Sequence, residues 1–135
     1  MTVKTQHDHQ MSQKREKHTL DATGVSLGRL ASEVAKHLMG KHKITFSYHV
    51  DSGDHVMVTN IQAVRVTGTK PTDKIYYHHS EFMGGLKQID YKTLAIKKPG
   101  EALRLAVKGM LPRTKLGTDM LRRLKIQSGE VSSSK

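Results

Sequence analysis

The sequence of 135 residues predicts a single small α/β domain. An amphipathic helix pattern lies between two short apolar runs, which is the order expected of a β–α–β unit. The chain has no Cys, so disulfide bonds, thiolate metal sites and Cys nucleophiles are excluded. The hydrophobic fraction of 36% includes no Trp and few other aromatic residues, so the core is expected to be aliphatic.

The predicted β–α–β unit begins with a short strand over residues 19–22 and a turn at Thr23 and Gly24. A helix is predicted over residues 26–39, because apolar residues recur there at intervals of three and four. Gly40 is expected to end the helix as a glycine just beyond its last turn. The apolar stripe consists of Leu27, Leu30, Ala31, Val34, Ala35 and Leu38.

Three more strands are predicted in the middle of the chain. Residues 56–58 are continuously apolar and predict a buried strand, and residues 64–67 alternate as a half-exposed strand does. Because the intervening link is short, a hairpin over residues 56–67 is expected, since a parallel connection needs a dozen or more residues. Residues 75–79 predict a further strand.

The last third of the chain predicts two helices separated by Pro112, which cannot continue a helix. The first stripe is Leu103, Ala106, Val107, Met110 and Leu111, and the second is Leu116, Met120, Leu121 and Leu124. Residues 1–17 show no apolar period and predict a disordered tail, while residues 128–135 predict a flexible Ser-rich end. The domain is therefore expected over residues 18–127.

The chain is strongly basic, with 23 Lys and Arg against 12 Asp and Glu, a net charge of +11. Most of the excess lies downstream, with net +4 over residues 61–100 and net +5 over residues 101–135. Such an excess indicates a polyanionic partner. No apolar run approaches a membrane span and no signal peptide is recognisable, so a membrane partner is not expected.

Three segments combine cations with aromatic residues or glycines, as RNA-binding surfaces do. They are residues 40–49, residues 70–87, and the joint between the last two helices at residues 107–117. The alternative for residues 40–49 and 107–117 is an ordinary solvated loop or linker. For residues 70–87 it is that Tyr76 or Tyr77 caps the core, which strand alternation favours for one of the two. The predicted RNA-binding residues are Arg29, Lys41, His42, Lys43, Tyr48, His49, Lys70, Lys74, Tyr76, Tyr77, His78, His79, Lys87, Lys108, Arg113, Lys115, Arg122 and Arg123.

Three other patterns were weighed as chemical sites. Asp51 and Asp54 suit a cation or an acid–base pair, but Asp and Gly before a strand favour turn chemistry. The turn at Gly24 opens a helix as phosphate loops do, yet it matches no nucleotide-binding motif. Gly28 is expected to allow close packing of helix on sheet.

Zinc was considered at His49, His55, His78 and His79. Adjacent His residues on a strand point to opposite faces and no Cys is available, so no metal and no cofactor are expected.

Five stretches together resemble one family, the universal large-subunit ribosomal protein thirteen in its bacterial form. They are DATGVSLGRLASEVAKHLMGKHK, HVDSGD, VTGTKPTDKIYYHH, GGLK and VKGMLPRTKLG, in family order, and the resemblance runs from about residue 20 to residue 126. It implies a three-layer α/β/α fold around a small, mostly parallel sheet, with C-terminal helices and basic loop extensions.

The resemblance further implies a structural, non-enzymatic role in the large ribosomal subunit of the cytoplasm. The expected partners are large-subunit ribosomal RNA, bound early in subunit assembly, and neighbouring ribosomal proteins, with no small-molecule substrate. Two alternatives remain: a non-ribosomal RNA-binding or assembly module, and a small α/β nucleotide-binding enzyme.

Overall fold

A computed structural model describes residues 15–129, and it confirms the α/β class. A parallel sheet has the strand order β1–β2–β5, and β3 and β4 form a separate antiparallel hairpin. The strands are β1 (Lys17–Asp21), β2 (His55–Thr59), β3 (Ile75–His79), β4 (Leu86–Asp90) and β5 (Leu124–Ile126). The helices are α1 (Leu27–Met39), α2 (Lys70–Asp73), α3 (Tyr91–Lys97), α4 (Glu101–Met110) and α5 (Lys115–Arg122).

The predicted β–α–β unit is present, since β1 and β2 pair in parallel and α1 connects them. Gly40 ends α1 with a φ of 80°, a left-handed conformation that favours glycine, and its amide donates to the carbonyls of Lys36 and His37. The predicted tails lie mostly outside the described residues. However, β1 begins at Lys17 and the Glu16 amide donates to Asp54 at 3.0 Å, so the ordered part starts before residue 18.

The predicted hairpin over residues 56–67 is wrong. Asn60 adopts a left-handed φ of 55° and a single 3-10 turn, Ile61–Ala63, follows β2. The chain then returns to the start of α1, where Arg65 forms an isolated parallel bridge with Ser26. The free edge of β2 is taken instead by β5, so the three-stranded sheet is entirely parallel.

Strand β5 was not predicted, because Leu124 lies at helical spacing from Met120 and extends the stripe of α5. The helix nevertheless ends at Arg122. After Arg123, the strand is formed by Leu124–Ile126. In the parallel register, Val56 of β2 is opposite Leu124 and Val58 is opposite Ile126. A three-residue strand is too short to show a period of its own.

The helices pack on one face of the sheet. Val56 and Val58 are buried there against α1, α4 and α5, with Leu30, Leu38, Leu103 and Val107 at the centre. The opposite face carries the exposed residues Lys17, Thr19 and Lys125. Helices packed on a small parallel sheet agree with the expected α/β fold.

The joint after α4 is fixed by Leu111, which is 5% exposed, whereas Met110 is 43% exposed. Of the last two residues of the predicted stripe, only Leu111 is thus buried at the joint. Met110 instead lies near Ser32 of α1, whose hydroxyl is 3.7 Å from the Met110 sulfur. The apolar stripe ends one turn before the helix does.

The β3–β4 hairpin places Tyr77 opposite Gln88 and carries Phe82 and Met83 in its connecting turn. The side chains of Phe82 and Met83 are exposed. The Tyr91 amide donates to the Lys74 carbonyl at 2.8 Å and so continues the ladder of hydrogen bonds at the base of the hairpin. Within the described part of the chain, no helix is long and apolar enough to span a bilayer.

Candidate nucleic-acid interface

An open cleft of about 500 Å³ lies between the start of α1 and helix α2 and is called here the α1–α2 cleft. Its cations are Arg29, Arg65, Lys70 and Lys74, and no carboxylate lines it. The isolated bridge to Ser26 holds the backbone of Arg65 beside α1, and α2 carries Lys70. Within residues 15–129 none of these four cations forms an ion pair, so their charges are available to an anion.

A second groove of about 700 Å³ runs along the hairpin and is called the hairpin groove. Lys74 lines both clefts and its ammonium lies 5.2 Å from the centre of the Tyr76 ring. Tyr77 is 63% exposed, while Tyr76 is half-buried and its hydroxyl has no hydrogen-bond partner within residues 15–129. Burial raises the pKa of Tyr76. One tyrosine therefore packs and the other presents its ring, as alternation predicts. His78, Lys87 and the acidic residue Glu101 also line the groove.

The four histidines considered as zinc ligands, His49, His55, His78 and His79, are not gathered together, in line with the expectation that they do not bind zinc. His78 lines the hairpin groove, and the His79 ring accepts the Glu81 amide at 2.9 Å. Neither these residues nor His49 and His55 belong to a group of possible metal ligands among the described residues.

The loop after α1 divides its predicted RNA-binding residues into two sets. Lys41, Tyr48 and His49 are exposed, and Tyr48 is in edge-to-face contact with Phe46 at a ring separation of 5.1 Å. His42 and Lys43 instead turn inward to Asp54, the His42 Nε2 lying 2.9 Å from its carboxylate. His42 and Lys43 were both predicted to bind RNA, and each has a polar group whose partner is Asp54 within the protein.

Asp54 is fully buried and is the centre of a polar cluster. Its carboxylate accepts hydrogen bonds from the Glu16 amide, the rings of His18 and His42, and the Lys43 ammonium. Burial raises the pKa of Asp54, but the Lys43, Glu16 and His18 hydrogen bonds outweigh burial, so that the net pKa is well below its ordinary value. The interpretation of Asp54 as a turn residue is therefore incomplete, because its main role is to bind buried donors.

Arg123 was predicted to bind RNA, but in the structure its side chain is buried and paired within the protein. Its side chain is 7% exposed and forms a two-pronged pair with Asp51, including a 2.7 Å contact, while also donating to the Leu38 carbonyl at 3.1 Å. Arg122 is exposed and pairs with Asp119 at 3.2 Å. Because Arg122 and Arg123 carry the same charge, the sequence does not show which of them is buried. That depends on where α5 ends.

The joint after α4 presents Lys108, Arg113 and Lys115 to solvent, as predicted. The backbone of Gly117 packs directly against the Pro112 carbonyl there, so that a Cβ at this position would overlap the carbonyl oxygen. These cations do not line the α1–α2 cleft or the hairpin groove, so they form a separate basic surface on a constrained backbone.

The glycines before α1 do not form a phosphate loop. Gly24 has a φ of 70° and its amide already donates to the Ala63 carbonyl at 3.1 Å, which supports the turn interpretation. The expectation of close packing at Gly28 is wrong, since a Cβ there would meet nothing within 4 Å.

Three exposed residues of these surfaces were missed from the sequence: Arg65, Phe82 and Met83. The alternation of residues 64–67 indicated that Arg65 points away from its apolar neighbours, but not that it lies beside α1. Phe82 and Met83 precede a Gly-Gly pair, and two apolar residues in a glycine turn are a signal of exposure.

Three imidazole rings also meet beside Asp54, those of His18, His37 and His42. Burial, with the other two rings nearby, lowers the pKa of His37. No local sequence pattern indicates this cluster, because its members come from a strand, a helix and a loop.

Comparison with known proteins agrees with the resemblance. The profile of the family described as Ribosomal protein L13 matches residues 15–133. A protein named Large ribosomal subunit protein uL13 from Aliivibrio fischeri (strain MJ11) is 53% identical over 116 residues, covering 86% of this chain and 82% of the relative. The protein of the same name from Pseudomonas syringae pv. syringae is 52% identical over 118 residues, covering 87% and 83%.

Proposed function

The chain belongs to the Ribosomal protein L13 family, and from that membership we propose that it is a structural constituent of the large ribosomal subunit that binds large-subunit ribosomal RNA. The family is one of structural proteins rather than enzymes. Bacterial ribosomes work in the cytoplasm, which is the location that follows for this chain.

The α1–α2 cleft is the observation that carries the RNA-binding part of the proposal. Four cations converge there without a carboxylate among the lining residues. Phosphates of a folded RNA strand are closely spaced anions, and binding them releases counterions, which supplies much of the affinity. A small acidic substrate would need fewer cations and a more enclosed site.

The hairpin groove adds what RNA binding needs beyond charge. Tyr77 offers an exposed ring on which an unpaired base can stack, and Lys74 and Lys87 line the same groove. Phe82 and Met83 at the turn suit burial against RNA or a neighbouring ribosomal protein. Through such contacts the protein holds RNA segments together early in subunit assembly.

The test compares the RNA affinity of two double variants of the full chain, each of which lacks two cations. Arg65→Ala with Lys70→Ala is expected to weaken binding to large-subunit RNA about tenfold and to lower the salt slope by about two, one for each lost phosphate contact. Lys97→Ala with Lys98→Ala removes the same charge outside both clefts and is the control. Equal losses of RNA affinity in the two double variants would show that only net charge matters, and would refute a specific role of the α1–α2 cleft in RNA binding.

The joint after α4 is tested separately by Arg113→Ala with Lys115→Ala. We expect weaker RNA binding and an unchanged thermal midpoint, because both side chains are exposed. For the unmodified protein, a salt dependence equivalent to about six to ten phosphates is expected. A nearly flat salt dependence would contradict a binding mode based on backbone phosphates.

Association with the ribosome distinguishes this role from that of a non-ribosomal RNA-binding module. The protein should sediment with large subunits through a high-salt wash. Recovery only in ribosome-free RNA fractions would favour the alternative.

A further inference from the structure

The imidazole cluster beside Asp54 has the composition of a metal site. His18 lies on β1, His37 in the last turn of α1, and His42 on the loop that follows. The ring centres are separated by 4.4 Å, 4.7 Å and 5.4 Å, and one ring nitrogen from each residue lies within 4.8 Å of the others. The side chains of His18 and His42 are 25% and 23% exposed, so an ion has access.

Asp54 orients two of the rings. Its Oδ2 is 3.1 Å from the His18 Nε2 and 2.9 Å from the His42 Nε2. A neutral imidazole has one donor and one acceptor, so a ring that donates from Nε2 to this carboxylate keeps an unprotonated Nδ1. Metal-binding histidines commonly donate their other ring N–H to a carboxylate, which fixes the ring and increases its basicity.

His37 supplies a second and independent observation. Its Nδ1 is buried and has no hydrogen-bond partner among the described residues. An unpaired buried polar nitrogen costs free energy, and native structures rarely leave one without a reason. A metal ion bound to the ring cluster would satisfy a lone pair at this position.

We propose that His18, His37 and His42 form a binding site for one divalent ion of the zinc class. Three imidazole nitrogens bind the ion, and Asp54 positions the rings of His18 and His42. Imidazole suits Zn²⁺ and its neighbours, and three protein ligands leave one position of the tetrahedron open. Glu16 lies in a group with His18 and Asp54, so its carboxylate or a water molecule is available for that position.

The geometry requires only a small adjustment. Zinc–nitrogen bonds of about 2.0–2.1 Å place tetrahedral ligands roughly 3.3 Å apart. One nitrogen from each ring now lies within 4.8 Å of those of the other two rings, so rotations of the partly exposed rings would bring the ligating nitrogens to that separation.

The proposal is tested by calorimetric titration of the full chain with Zn²⁺ and by the visible spectrum of the Co²⁺ form. His7 and His9 are replaced by Gln in the reference protein, because they are further imidazoles of the same chain. The reference protein should bind one equivalent of Zn²⁺, and Co²⁺ should give the absorption of a tetrahedral site. His37→Gln is expected to reduce affinity at least tenfold, and the control His79→Gln should leave it unchanged.

Two results would overturn the site: no saturable Zn²⁺ binding by the reference protein, or affinity within twofold of the reference after His37→Gln. Circular dichroism establishes that each variant is folded. If His37→Gln unfolds, His42→Gln on the loop replaces it with the same expected loss. No RNA is present in these measurements, so their failure leaves the proposed ribosomal role untouched.

Discussion

Replacing Asp54 by Asn tests whether the buried polar cluster stabilises the fold. The substitution keeps the shape of the side chain but removes the negative charge that accepts the Lys43 ammonium, two imidazoles and the Glu16 amide. Removing one partner of a buried ion pair leaves the other charge uncompensated, which typically costs about 3–5 kcal/mol. For a domain of this size, that loss corresponds to a thermal midpoint lowered by about 10–20 °C.

Urea unfolding, followed by circular dichroism in the presence of EDTA, measures this cost without any contribution from bound metal. Asp119→Asn is the matched control, since Asp119 pairs with Arg122 at 3.2 Å but both side chains are more than half exposed. Exposed pairs contribute about 0–1 kcal/mol, so this variant should stay close to the unmodified protein. If Asp54→Asn costs no more than Asp119→Asn, the cluster does not stabilise the fold and the reasoning fails.

Two further comparisons use the same unfolding measurement. Gly53→Ala should lower the free energy of unfolding by more than about 1 kcal/mol, because the added Cβ overlaps the Leu38 carbonyl. Gly28→Ala places its Cβ in open space on α1 and should raise the free energy of unfolding by up to about 1 kcal/mol. Equal effects of the two substitutions would contradict the close packing around Gly53. Leu111→Ala should cost about 2–5 kcal/mol and Met110→Ala clearly less, because Leu111 is 5% and Met110 43% exposed. The opposite order would show that Met110, not Leu111, holds the joint.

The parts of the fold that the sequence predicts well are those determined by local periodicity. The apolar stripe of α1 lies at helical spacing, and five of its six members are buried as expected. The parallel pairing of β1 with β2 follows from the β–α–β order. In contrast, β5 is determined by the vacant edge of β2, which is a tertiary property that no local pattern contains.

The prediction of RNA-binding residues is limited in the same way, because a local sequence pattern does not contain tertiary contacts. Exposed cations such as Lys70 and Lys115 were identified by charge alone, because most charged side chains stay in solvent. Charge does not reveal which cations pair with carboxylates of the protein itself. Lys43 and Arg123 were therefore assigned to RNA, although they bind Asp54 and Asp51. The Arg123 pair with Asp51 spans 72 positions, a separation at which neither partner marks the other in the sequence.

The late position of β5 has a consequence for synthesis. Strand β2 keeps an unpaired edge until β5, near the far end of the described chain, has been made and has left the ribosome. At about 5–20 residues per second, that interval is roughly 3–13 s. During this time the nascent protein exposes backbone donors and acceptors that invite pairing with other chains. Cellular factors that shield strand edges therefore matter most for this protein before its last strand emerges.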